Sequence, residues 1–244
     1  MAGPVPEMEV YRFCCFLVRY VSCDTHHQVW NGVLTMHVLH QHVSGYIGYG
    51  FPGASHVSAK GLVRPHDLVY QQGDIIHLDT GFNYVGFASD WQKVAYVLRA
   101  GEDDVPDGLK VALRNAGVAQ QAMLAAPRPG MTGREATIAT MALLEGVDFL
   151  PSLYSHAIGY QGHALGPSIN ARNMVLGPAP GYGDTPRDSV LRPGSYRSIE
   201  LSATTAIPEW NGETLTIPFE DDAHLTDEGY MLFRPPQTSW YLIR

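Results

Sequence analysis

The chain has 244 residues, 45% of them hydrophobic and only 16% charged, which is the composition of a folded domain with a sizeable core rather than of a disordered segment. A net charge of −8, with no cluster of Lys and Arg, excludes a phosphate-tracking surface, so no nucleic-acid partner is expected. Cys14, Cys15 and Cys23 form an odd set, and adjacent cysteines rarely bridge, so the setting reads as reducing and cytoplasmic. The apolar run Phe13–Val18 is too short to cross a membrane and lacks a basic leader, so neither a signal peptide nor a membrane partner is expected.

In chain order, Val10, Phe13, Leu17 and Val21 recur near helical spacing and predict a helix from Glu7 to Cys23. Gln28 to His40 reads as a second helix. Ser44 to Gly53, rich in Gly and aromatics, reads as strand and turn, and His56 to Gln72 as a long connection. Ile75-Ile76-His77-Leu78-Asp79 is an apolar run ending at a carboxylate. Gly81 to Gly86 turns the chain, and Phe87 to Leu98 returns it as a second strand, so Asp79 and Asp90 converge on a hairpin. Leu109 to Ala126 is a helix stopped by Pro127. Thr132 opens another helix, with Glu135 three residues on as a capping box and Gly146 as its end. His156 to Pro167 reads as a Gly- and His-rich loop or strand end, Val190 to Gly194 as a turn, and Tyr196 to Thr205 and Leu215 to Leu225 as strands. Helices followed by antiparallel strands thus occur twice, before Leu98 and after Leu109, which fits a duplicated α+β architecture.

Asp79, Asp90, His156, Glu200 and Glu220 stand out along this pattern. Four carboxylates and one imidazole suit two adjacent hard divalent ions: oxygens neutralise the charge, and His adds a borderline donor. Two such ions sharing a water lower its pKa and aim it at a polarised bond. Glu200 follows Ile199 in an apolar strand, where an ionised carboxylate without a cation would be costly. Glu220 is followed by Asp221 and Asp222, so a solvated acidic turn is the competing reading there. His26, His27, His37, His40 and His42 are dense but lack ligand spacing with Cys, and read as a helix surface.

Gly73 to Gly81 followed by Ser89-Asp90, the His-Ala-Ile-Gly of 156–159, His163 with Gly166-Pro167, Ser198-Ile199-Glu200 and Phe219-Glu220-Asp221 together resemble the metallopeptidase superfamily of methionine aminopeptidase, prolidase and creatinase. Trp91-Gln92-Lys93, Pro208-Glu209-Trp210 and the closing Gln237 to Ile243 resemble its aminopeptidase P-like, Xaa-Pro peptidase branch. The resemblance implies a single pita-bread α+β catalytic domain over 1–244, with two pseudo-two-fold halves around a dinuclear site. Residues 1–60 match poorly, and the accessory N-terminal domain of such relatives is expected to be absent.

By the same resemblance, Asp79 binds one ion, Asp90 and Glu220 bridge both, and His156 and Glu200 complete the other. Glu200 also carries the proton, and His163 hydrogen-bonds the substrate or the tetrahedral intermediate. His56 is the upstream candidate for a substrate-facing His, ahead of His66. Manganese suits so carboxylate-rich a site, with iron, cobalt and zinc the other ions that fit. The implied activity is release of an N-terminal residue from a peptide with proline next to the cut. Pro218 stands where prolidases often carry an Arg that meets a substrate carboxylate, which argues against a strict dipeptidase and leaves Arg197 and Arg172 as other cations for that task. Two alternatives stay open: a creatinase-like hydrolase or lyase acting on a small C–N metabolite, and a non-catalytic binding homologue. A homodimer, in which another subunit closes the site, is one of the arrangements left open.

Overall fold

The computed structural model describes residues 34–39, 47–50, 71–81, 83–84, 87–159, 164–176 and 189–244, of which 34–39, 47–50, 80 and 83–84 by backbone alone. In chain order the strands are β1 (Leu34–Leu39), β2 (Ile47–Gly50), β3 (Ile75–Thr80), β4 (Asn83–Tyr84), β5 (Phe87–Ala88) and β6 (Trp91–Val97). Helices α1 (Asp107–Ala125) and α2 (Gly133–Leu143) follow. Then come β7 (Leu150–Ala157), β8 (Ala164–Arg172), β9 (Val175–Leu176), β10 (Tyr196–Ala206), β11 (Thr214–Thr226), β12 (Gly229–Leu232) and β13 (Tyr241–Ile243). They divide into two compact units, one of residues 1–82, 94–105 and 240–244, the other of 83–93 and 106–239.

In the first unit β1 lies antiparallel between β2 and β3, with Thr35 opposite Asp79. Ile75, Ile76 and Leu78 are buried and make β3 the core strand. Its entry is a tight turn. Gly73 has φ +92, the Asp74 carboxylate accepts the Gln71 N–H at 2.8 Å, and the Gly73 N–H reaches the Val97 carbonyl at 2.7 Å. β13 runs parallel to the second half of β6. The helix expected over Gln28 to His40 is corrected here, because Leu34–Leu39 is a strand with a partner on each side. A short apolar run does not itself choose between the two periods, and the ladder to β3 decides it.

The second unit holds the long antiparallel pair β10–β11, with β7, β8 and β9 continuing beyond β10 and β12 beside β11. Their side chains alternate strictly between two faces. One face carries Ile199, Leu201, Ala203, Leu215, Ile217 and Phe219, all buried. It packs against the stripe Leu109, Ala112, Leu113, Ala116, Ala119 and Met123 of α1. The other face carries Ser198, Glu200, Ser202, Pro218, Glu220 and Asp222. A sheet covered by a helix on one face leaves the other free to hold polar groups. Fully burying each Leu, Ile and Phe side chain of the covered face contributes roughly 1.5–3 kcal/mol, so that face anchors the register that the polar face depends on.

The capping box of α2 forms as the sequence predicts: the Thr132 hydroxyl accepts the Glu135 N–H at 3.2 Å and the Glu135 carboxylate accepts the Thr132 N–H at 2.8 Å. α2 sits close on β8, since a Cβ at Gly133 would lie 2.3 Å from the Ser168 carbonyl oxygen. His156 is at the end of β7 rather than in a loop, and β8 takes in Gly166 and Pro167. The expected strand from Phe87 is broken at Ser89-Asp90, so Asp90 precedes β6 instead of lying within it.

Candidate metal centre

The register brings the acidic motifs to one face. Glu200 of β10 is opposite Glu220 of β11, Ser198 is opposite both His156 of β7 and Asp222 of β11, and Gln92 of β6 is opposite Glu220. Ligand atoms of Asp90, His156 and Glu220 lie within 4.8 Å of one another. From His156 Nε2 the distances are 3.6 Å to Glu220 Oε1, 3.7 Å to Asp90 Oδ2 and 4.0 Å to Glu200 Oε2. These exceed hydrogen-bond length. They match the separation of donor atoms that share one cation, since ligands at about 2.0–2.2 Å from an ion stand roughly 3–4 Å apart.

The chemistry of the donors fits as well. His156 Nδ1 is 3.1 Å from the Ala157 carbonyl, so the ring proton belongs there and Nε2 turns its lone pair to the carboxylates. A ligand His is commonly oriented by such a bond through its other nitrogen. Burial lowers the His156 pKa and so favours the neutral ring. A lone pair facing three carboxylates is repulsive unless a cation lies between them. Glu220 is only 2% exposed and burial pushes its carboxyl up to about 7, against the opposing pull of hydrogen bonds from Ser198 and Gln92. Gln92 Nε2 donates to Glu220 Oε2 at 2.6 Å and reaches Glu200 Oε1 at 3.5 Å, while the Ser198 hydroxyl donates to Glu220 Oε1. Glu200, its side chain 32% exposed, is the member of the group most open to solvent.

The acidic run after Glu220 is not a solvated turn. Asp221 points to the α1 face, where it pairs with Lys93 Nζ at 2.5 Å and accepts Gln120 Nε2 at 2.9 Å. Asp222 returns to the Glu220 face and accepts the Asp90 N–H at 3.1 and 3.3 Å. Burial raises the Asp222 carboxyl to about 7. Arg197, 2% exposed, is also on the α1 face and donates to the Pro167 carbonyl and to Ser155, so it is not a cation for a substrate on the polar face. Arg172 is exposed at the end of β8. Asp79 lies half-buried on β3 in the other unit. His56, His66 and His163 lie outside the described residues, as do the cysteines.

Sequence reasoning missed Ser198, Asp222 and the role of Gln92. Ser198 was legible as a polar residue two before Glu200, hence on its face of the strand. Asp222 stands in the same relation to Glu220. Gln92 carried no local signal, because its opposition to Glu220 is a matter of register.

A buried face that sets carboxylates and an imidazole around one point is able to hold a divalent ion. The chain belongs to metallopeptidase family M24, whose model matches residues 19–227. It is 27% identical over 166 residues to the uncharacterized peptidase YqhT of Bacillus subtilis, an alignment covering 67% of this chain and 40% of that protein. An X-Pro aminopeptidase of Thermotoga maritima superposes over 100% of this chain and 56% of its own, with a TM-score of 0.56 at 20% identity. An Xaa-Pro dipeptidase of Bacillus anthracis does so with the same coverage, a TM-score of 0.54 and 20% identity. The chain thus spans about half the length of these relatives, from 40% to 56%. The likeness shows the fold, the α+β pita-bread fold of the family.

Proposed function

We propose that this chain is a metal-dependent hydrolase that removes the N-terminal residue of peptides, with a preference for proline after the cut. The observation that carries the reading is the convergence of Asp90, His156 and Glu220 within 4.8 Å on a largely buried face, with Glu200 beside them. Two ions rather than one are supported by charge: Asp90, Glu200, Glu220 and Asp222 bring four carboxylates to a face whose imidazole is neutral. The sequence motif adds Asp79 as a further ligand. Manganese is the ion best matched to such oxygen-rich donors.

Divalent ions bound here supply Lewis acidity and a water of lowered pKa. The protein supplies the rest. Ser198 and Gln92 hold both oxygens of Glu220, so its carboxylate is fixed in orientation before any ion arrives. The greater exposure of Glu200 supports a role for its carboxylate in carrying a proton between solvent and the scissile nitrogen. His163 is assigned to the carbonyl oxygen of the substrate on the sequence motif alone. No helix among the described residues is long and apolar enough to cross a membrane. The reading treats the chain as one catalytic domain working in the cytoplasm.

Pro218 favours substrates longer than dipeptides. It shares the Glu220 face, opposite Ser202, and brings no cation there, while Arg197 is turned away. A charge-assisted bond to a free carboxylate is worth about 1.5–3 kcal/mol, and this position forgoes it. The test is kcat/KM for Xaa-Pro, Xaa-Pro-Xaa and an Xaa-Pro amide with manganese-loaded protein. Cleavage of the latter two at least as well as the dipeptide is expected. A strong preference for the free dipeptide would remove the argument from Pro218. Failure on all three by metal-loaded protein would favour the small C–N compound instead.

A further inference from the structure

Asp90 reaches the other ligands from a two-residue gap between β5 and β6. The gap is held from outside, at both ends, by the long strands. The Tyr196 hydroxyl of β10 donates to the Ala88 carbonyl at 2.7 Å. The Asp222 carboxylate of β11 accepts the Asp90 N–H with both oxygens, at 3.1 and 3.3 Å. Tyr196 is itself steadied by Phe233, whose ring meets it edge-on at 5.3 Å between centroids. Asp222 is fixed by the Phe233 N–H, which donates to its backbone carbonyl at 3.1 Å. Tyr196 and Asp222 thus tie the main chain of the gap to the same two strands that carry Glu200 and Glu220.

The identity of the acceptor is informative. The Asp222 carboxylate takes the Asp90 N–H and also lies within hydrogen-bond reach of the Tyr196 hydroxyl, whereas a Ser or Thr hydroxyl would offer a single oxygen. A carboxylate here has to be desolvated and stands two residues from Glu220, on the same face. An Asp side chain has only two torsions, so the reach of Asp90 is set by where its backbone lies. We propose that Asp222, assisted by Tyr196, is a positioning residue for Asp90: it fixes the backbone from which that carboxylate reaches His156. The proposal rests on the reading of Asp90 as a metal ligand, and the experiment keeps the two separable.

The experiment is Mn2+ titration of the metal-free chain, read as free Mn2+ by electron paramagnetic resonance, for wild type, Asp90→Ala, Asp222→Leu, Asp222→Asn and Tyr196→Phe. Thermal unfolding of each metal-free protein runs alongside. Asp222→Leu is expected to weaken Mn2+ binding roughly 10–100-fold, the scale on which outer partners of metal ligands act. Its metal-free form should unfold no earlier than wild type, because a buried acid has been removed. Asp222→Asn keeps an oxygen for the Asp90 N–H and is expected to recover most of the affinity, and Tyr196→Phe to lose less than Asp222→Leu. Unchanged Mn2+ affinity in Asp222→Leu would overturn the proposal. So would loss in Asp222→Asn as complete as in Asp90→Ala, which would make Asp222 a ligand itself. Early unfolding of metal-free Asp222→Leu would assign the residue to the fold instead of the site. If Asp90→Ala keeps full Mn2+ binding, the ligand reading of Asp90 fails first, whatever Asp222 does.

Discussion

Replacing Glu220 with Gln separates what this residue costs the fold from what it gives the site. Glu220 is 2% exposed, and its carboxyl is pushed from 4.5 to about 7 chiefly by burial. In the metal-free protein the unfolded chain ionises this group first. The contribution of this group to stability is therefore greatest below pH 4.5, falls as pH rises, and levels off above about 7, where the folded carboxyl has also lost its proton. At roughly 1.4 kcal/mol per pH unit, the full loss is about 3 kcal/mol. Glu220→Gln cannot ionise and escapes that loss. Its oxygen can accept the Gln92 amide, and its nitrogen can donate to the Ser198 hydroxyl, which accepts as readily as it donates. Chelated Glu220→Gln should therefore unfold at higher temperature than chelated wild type at pH 8. The gain should be up to roughly 6–12 °C for a chain of this size, shrinking as pH approaches 4.5. With manganese present the order should reverse, because wild type gains binding energy that the variant has lost. Thermal unfolding at pH 5.5 and pH 8, with chelator and with manganese, gives the four values needed. A chelated variant no more stable than wild type at pH 8 would refute the claim that Glu220 is held at a cost the metal offsets.

Two further substitutions test the support of the site. Asp221→Ala leaves Lys93 buried without its carboxylate and removes the acceptor of Gln120, so it should destabilise by roughly 3–5 kcal/mol in urea unfolding. Gly133→Ala places a Cβ 2.3 Å from the Ser168 carbonyl oxygen, pushing α2 off β8, and should cost roughly 1–3 kcal/mol in the same assay while leaving the Mn2+ affinity unchanged.

The long strands and the two helices were legible because their signals are local. Tyr196 to Thr205 and Leu215 to Leu225 show the period of two, and the capping box at Thr132 needs only four residues to be recognised. What the sequence hid was set by pairing. Leu34–Leu39 reads as part of a helix over Gln28 to His40 until β3 is placed beside it. Asp221 and Asp222 look like a solvated pair, yet one is buried in an ion pair under α1 and the other faces the site, because adjacent residues of a strand face opposite ways. The motifs grouped Asp79, Asp90, His156, Glu200 and Glu220, and of these five the ligand atoms of Asp90, His156 and Glu220 lie within 4.8 Å of one another. It could not show that Gln92 lies across from Glu220, since opposition across strands leaves no trace in spacing.

The central claim is that this face binds two divalent ions through the named carboxylates and His156. Elemental analysis of the chain after equilibration with manganese and removal of excess tests it directly, with Asp90→Ala as reference. Close to two manganese ions per chain are predicted for wild type, and close to none for Asp90→Ala. Only trace metal in wild type, or an undiminished content in Asp90→Ala, would contradict it.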